Sequence, residues 1–224
     1  EKATERLRLL GQVSGGLAHQ LRNGIAGAKL AIQLHNKGLA GHDIPEPLQV
    51  ALRQLALMEN YLKRFFDLGK AMKIKPERVR LAGLIDDAAS LLRPQCVHEN
   101  IDFRVSAADD RAEVAVDSGQ FRQVLFNLIT NAIEAAGPNG RVEIRSRMEA
   151  ENAIVEILDS GPGIPANLMA TLFDPFVTEK PEGVGLGLAV SRQIAEAHGG
   201  TLSWSRRDEG TCFRLELPQG RTPS

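Results

Sequence analysis

Gln120-Phe121-Arg122-Gln123-Val124-Leu125-Phe126-Asn127-Leu128-Ile129-Thr130-Asn131-Ala132 is the stretch on which the fold turns. Val124, Leu125, Leu128 and Ile129 recur at helical spacing, so the segment reads as an amphipathic helix with one apolar face. Asn127 and Asn131 stand four residues apart and therefore share a different face of the same helix. Two neighbouring amides can offer oxygen to a hard cation such as Mg²⁺ and hydrogen bonds to phosphate. Taken alone, such a pair is more often an ordinary solvated surface. Asp117 is the expected N-cap of this helix, with Gln120 three positions on in the manner of a capping box.

Outward from this helix the chain alternates strands and helices. Short strands are expected at Val79–Leu81, Ile101–Val105 and Val114–Val116, and a helix at Leu84–Leu92. Arg141–Ser146 alternates polar and apolar residues as a half-buried strand does, and Ile154–Leu158 is more continuously apolar. A helix near residues 187–198 and strands near 201–206 and 211–217 close the sequence. Strand groups interspersed with three helices predict an α/β sandwich, one mixed sheet with helices on one face.

Two glycine-rich segments punctuate this part. Asp159-Ser160-Gly161-Pro162-Gly163 follows an apolar strand, so its carboxylate can accept a hydrogen bond from an exocyclic amine such as that of adenine, while the glycines let the backbone bend close to a ligand. By itself it is also good turn chemistry. Gly183-Val184-Gly185-Leu186-Gly187-Leu188 runs into a helix and exposes backbone N–H groups to an anion. It is neither a Walker A loop nor a dinucleotide fingerprint, because no Gly-Lys-Ser/Thr follows and the glycine spacing is wrong.

Upstream, residues 2–38 read as one long helix with Leu7, Leu10, Ser14, Leu17, Leu21, Ala28 and Ile32 on a heptad-like seam. Gly41-His42-Asp43-Ile44-Pro45-Glu46-Pro47 ends it, and a second helix carries Leu48, Leu52, Leu55, Met58, Leu62 and Phe65 on one side. Two helices bury little surface alone, so an antiparallel hairpin with this apolar face is expected to dimerise into a four-helix bundle. The pattern breaks near Pro76, which predicts a helical domain over residues 1–75 and an α/β domain over 76–224.

Composition excludes several classes. The chain has 224 residues, enough to bury a core without disulfides or metal. Its 27 basic and 28 acidic residues leave a charge near zero, giving no footprint for nucleic acid or a membrane surface. Cys96 and Cys212, far apart and in no CxxC spacing, are expected to be reduced, buried thiols of a cytoplasmic protein. No apolar run approaches the ~18 residues of a membrane span. The first residue is Glu1, within a helical pattern, which reads as a piece of a longer protein.

In this order the asparagine helix and the two glycine segments resemble the N, G1 and G2 boxes of the GHKL ATPases, a superfamily that includes histidine kinases, type II topoisomerases and an ATP-driven chaperone branch. Leu172-Phe173-Asp174-Pro175-Phe176-Val177-Thr178-Glu179-Lys180 is similar to the F box and ATP lid of the histidine kinases, as are Ala197-His198-Gly199-Gly200 and Gly210-Thr211-Cys212-Phe213 to their C-terminal end. The resemblance implies a Bergerat-type ATP fold in which Asn131 ligates Mg²⁺ and Asn127 lies in the nucleotide site. It also implies that Asp159 reads the adenine amine, that Gly161, Gly163, Gly183, Gly185 and Gly187 shape the phosphate loops, and that Lys180 contacts phosphate. Glu134 stands where many histidine kinases carry a basic, positively charged residue and is given no role. Other branches use a general-base Glu where this chain has Asn127, which points to phosphoryl transfer rather than hydrolysis.

An acceptor is then required. His35, His42, His98 and His198 lie at turns or helix ends and read as structural or solvated. His19 falls at an outward position of the heptad pattern, and Ala18-His19-Gln20-Leu21-Arg22-Asn23 resembles the H box of a dimerisation and phosphoacceptor hairpin. The resemblance implies ATP-dependent autophosphorylation of His19 and transfer to an aspartate of a response regulator. Gln20 replaces the acid usual after that histidine and can orient the ring but takes no proton at neutral pH. Gly24 replaces a proline often found five residues after the acceptor. Asn23 matches a position linked to dephosphorylating the regulator, which adds phosphatase activity to the expectations. A catalytically weak ATP-binding scaffold is the competing reading of Gln20.

Overall fold

The computed structural model describes residues 72–107, 112–180, 185–208 and 210–219, together with isolated positions between 25 and 55. The chain divides into two units, Glu1–Ala71 and Met72–Ser224. In the first, the described positions from Ile25 to Ile32 and from Leu48 to Leu55 are helical. The H box residues His19, Gln20 and Asn23 lie outside the described residues, as does most of the expected hairpin.

The second unit is a two-layer sandwich, and the fold class is α+β. Its elements run β1 (Glu77–Arg80), α1 (Leu81–His98), β2 (Asp102–Ala107), β3 (Glu113–Val116), α2 (Ser118–Ala136), β4 (Arg141–Glu149), β5 (Asn152–Asp159), α3 (Gly187–Ala197), β6 (Thr201–Arg207) and β7 (Gly210–Pro218). The main sheet has the order β2-β4-β5-β7-β6, and β1 pairs with β3 in a separate antiparallel ribbon. Only β2 and β4 are parallel, so the sheet is mixed, as the element pattern predicts.

Strand alternation decides which face is covered. Val142, Ile144, Val155, Ile157, Phe213 and Leu215 lie in register on one face and are buried beneath the helices. Phe121, Val124, Leu125, Leu128, Ile129, Ala132 and Ile133 of α2 form the matching stripe, all buried. Each large aliphatic side chain so covered contributes roughly 1.5–3 kcal/mol. The opposite sheet face carries charge, paired along and across the strands. There Arg147 meets Glu156 at 2.6 Å and Glu149 at 2.6 Å, and Arg214 meets Glu149 at 2.6 Å. The Arg147 hydrogen bond holds the Glu156 carboxyl below the usual carboxylate range, against the opposing effect of its burial.

The elements match the expectations with shifted boundaries: the first strand ends at Arg80, and Leu81, expected to close it, instead begins α1 three residues before the expected Leu84, where it is buried. α1 continues through Pro94 to His98, six residues past Leu92. Leu92 and Cys96 are both buried, so packing on the sheet overrides the proline's missing donor. Asp117 does cap α2, its Oδ1 accepting from Gln120 N–H at 3.1 Å. The capping box is not reciprocal, however. The Gln120 amide donates to the Lys73 carbonyl, and Asp117 N–H donates instead to His198 Nε2 at 2.9 Å. Cys96 and Cys212 are free and buried.

Candidate active site

Helix α2 is the element on which the site is assembled. Asn127, Asn131 and Glu134 follow one another at spacings of four and three, so they form a polar stripe beside the buried face. The Asn127 amide donates to Ser191 Oγ of α3 at 2.9 Å, and Ser191 is itself buried. That bond uses one of the two amide N–H groups and leaves the oxygen side of Asn127 towards Gly187. A Cβ at Gly187 would collide with Asn127 Oδ1, so the start of α3 approaches α2 only because residue 187 has no side chain.

The first glycine segment meets the same helix from the other end. A Cβ at Gly161 would stand 2.5 Å from the Ala135 carbonyl oxygen. Asp159, the last residue of β5, is 5% exposed. Its Oδ1 accepts from Gly161 N–H at 2.9 Å, and Thr211 N–H also donates to the carboxylate. Burial pushes the carboxyl above its ordinary range, opposed by those two N–H groups. Among the described residues no ion pair involves Asp159, which is a buried acceptor suited to a neutral amine donor.

Lys180 reaches α2 as well. Its ammonium donates to Asn131 Oδ1 at 3.0 Å and forms an ion pair with Glu134. The second glycine segment is held partly by the backbone before it: Phe176 N–H donates to the Gly185 carbonyl at 2.9 Å, and Gly185 takes φ +67° where a side chain would strike the Phe176–Val177 backbone. Gly183 lies outside the described residues.

Thus Asn127, Asn131, Gly161, Gly187 and Lys180 converge on α2, with Asp159 anchored through Gly161. Gly163 sits apart from α2, under the guanidinium of Arg206. Gly185 touches the Phe176–Val177 backbone rather than α2. Sequence reasoning did not single out Ser191, Thr211 or Arg206, whose guanidinium donates to the Pro162 carbonyl at 3.4 Å. It also gave no role to Arg192, which lies 5.4 Å from the Phe173 ring centroid. Thr211 lies within the C-terminal segment Gly210-Thr211-Cys212-Phe213 but carries no assigned role there, and the others belong to no motif; only the fold brings them to the loops.

The donor set fits a nucleotide with its metal. Buried Asp159 supplies an amine acceptor, and the asparagine amides supply neutral hard oxygens. Among the described residues no cluster of three or more His, Cys, Asp or Glu could hold an ion. A hard divalent cation held by Asn131 would therefore draw its remaining ligands from phosphate and water, as Mg²⁺ commonly does.

The family of histidine kinase-, DNA gyrase B- and HSP90-like ATPases matches residues 116–221. The sensor histidine kinase ZraS of Escherichia coli (strain K12) is 32% identical over 219 residues, covering 97% of this chain and 47% of that protein, so the chain spans about half the length of this relative. The catalytic domain of histidine kinase ThkA is 36% identical with a TM-score of 0.62, over 66% of this chain and 97% of that one. ThkA in complex with the response regulator protein TrrA is 30% identical with a TM-score of 0.69, over 98% of this chain and 64% of that one. No helix among the described residues is long and apolar enough to cross a membrane. With its GHKL-type sandwich built around the asparagine helix, the chain belongs to the sensor histidine kinase family.

Proposed function

We propose that this chain is the phosphotransfer core of a sensor kinase: it takes the γ-phosphoryl group of ATP onto His19 and passes it to an aspartate of a response regulator. The observation that carries the nucleotide half is Asp159, a buried carboxylate that among the described residues accepts from the backbone N–H groups of Gly161 and Thr211, beside a helix bearing two asparagines. A buried carboxylate is costly to keep charged, and a ligand amine would add a donor to the two backbone N–H groups. In this reading Asp159 accepts from the adenine amine, Asn127 orients the nucleotide, and Asn131 holds Mg²⁺. Magnesium bound there neutralises charge developing on the phosphates.

His19 attacks as the neutral imidazole. The N–P bond forms as the bond from phosphorus to the β-phosphate oxygen breaks, and the imidazole proton passes to solvent because Gln20 takes none. The hairpin forms a homodimer, which buries the apolar face a single hairpin leaves open. The chain's family membership and the crystallised complex of ThkA with its regulator support a receiver domain as partner. Asn23, one turn beyond His19, orients water for removal of the phosphoryl group from that partner. Gln20 favours a second reading, a phosphatase-dominant or ATP-gated scaffold.

The test is incubation of the wild-type chain and His19→Ala with Mg²⁺ and ATP radiolabelled on the γ-phosphate. Acid-labile, alkali-stable label present only in the wild type is the expected result. Absence of label with ADP still bound leaves the second reading, and label retained by His19→Ala removes His19 as acceptor.

A further inference from the structure

Glu134 has no part in the nucleotide reading above, yet it sits three residues after Asn131 on the same stripe of α2. One cation joins the two. The Lys180 ammonium donates to Asn131 Oδ1 at 3.0 Å while it pairs with the Glu134 carboxylate. The Lys180 backbone N–H donates to Thr178 Oγ1 at 3.1 Å, and the ammonium ties the end of this segment to α2. Elsewhere this segment meets the second glycine loop through Phe176 and Gly185.

The amide oxygen of Asn131 cannot serve both partners fully. A carbonyl-type oxygen that accepts from an ammonium presents its lone pairs to a cation already in place, and a divalent ion arriving at the same oxygen meets a like charge about 3 Å from it. We propose that Lys180 is a resident cation parked by Glu134, and that it competes with the metal of a metal–nucleotide for Asn131. Glu134 is then a positioning residue. It holds Lys180 on α2 until a metal–polyphosphate displaces it, whereupon the ammonium is free to pair with phosphate.

This inference rests on the nucleotide reading of Asn131. Its chemistry differs from direct metal ligation by Glu134, since a carboxylate ligand strengthens metal–nucleotide binding whereas a parking carboxylate opposes it. Both groups are partly exposed, at 49% and 43% of their side chains, so the pair is exchangeable and its removal leaves the core intact.

The experiment uses the whole chain and Glu134→Gln, which keeps shape and removes charge. Amide hydrogen exchange is followed in peptides covering residues 171–180 of the protein without nucleotide, and ADP binding is measured calorimetrically with Mg²⁺. Exchange about two- to fivefold faster in the variant, confined to that segment, and ADP bound about two- to fivefold tighter are the expected results. Weaker Mg²⁺-dependent binding in Glu134→Gln makes Glu134 a metal ligand and overturns the proposal, as does unchanged exchange. If neither protein binds ADP the nucleotide reading fails, and the exchange comparison still decides whether Glu134 parks Lys180.

Discussion

The Asn127 amide donates to Ser191 Oγ at 2.9 Å, joining two helices through residues 64 positions apart in the chain. Because the bond fixes which way the Asn127 amide points, it also fixes which atom faces the start of α3. Ser191→Ala leaves a part-buried N–H without this partner. The expected loss is about 1 kcal/mol of stability, read by urea denaturation, with ADP affinity lowered severalfold. Ser191→Thr keeps the hydroxyl and separates orientation from packing: recovery of ADP affinity there identifies the hydroxyl as what Asn127 needs.

Asp159 is expected to show opposite effects on stability and binding. Its folded pKa is raised by burial, so the folded state favours the protonated form. That contribution is present below the unfolded carboxylate value and is lost as pH rises through the folded value. Asp159→Asn, which carries no charge, therefore stabilises the nucleotide-free protein at neutral pH. The same change weakens ADP binding about tenfold or more, because a charged acceptor is replaced by a neutral one. In the wild type, ADP affinity falls as pH drops through the raised value, beginning above the ordinary aspartate range. Calorimetry across a pH series checks both signs.

Gly187→Ala tests the approach of α3 to α2. The added methyl meets the Asn127 amide, which must rotate away and break its bond to Ser191. A loss of about 1–3 kcal/mol is expected, with ADP binding impaired beyond what the stability change explains. In a Ser191→Ala background the further loss of binding should shrink, since the bond that Gly187→Ala breaks is already absent.

His198 is expected to act in folding and not in transfer. It is buried, its Nε2 accepts from Asp117 N–H, and its Nδ1 lies 2.7 Å from the Ile194 carbonyl. The accepting Nε2 places the proton on Nδ1, so the ring is the neutral tautomer donating to Ile194. His198→Ala removes both bonds and leaves the Asp117 N–H, at the cap of α2, without that acceptor. About 2–3 kcal/mol of destabilisation by urea denaturation is expected. Phosphorylation by the folded fraction should be unchanged, and a specific loss of it at full folding would assign His198 a chemical role.

The sequence by itself determined the local and periodic features of this protein. The apolar stripe of α2, the strand alternation of β4 and the Asp117 cap are written in spacings of two to four residues, where propensity and burial act together. The order of the asparagine helix and the glycine segments was equally legible, because each is a contiguous motif. What the tertiary structure decided is which distant groups meet them. Ser191 reaches Asn127 across 64 positions, Lys180 reaches Glu134 across 46, and Arg206 reaches Pro162 across 44. Ser191, Glu134 and Arg206 are single polar residues that look like ordinary surface in the sequence. They gain a partner only once sheet and helices are stacked, since hydrogen bonds and ion pairs depend on distances of a few ångströms that chain order does not encode. The same stacking carried α1 through Pro94, where burial of Leu92 and Cys96 outweighed a local signal to stop.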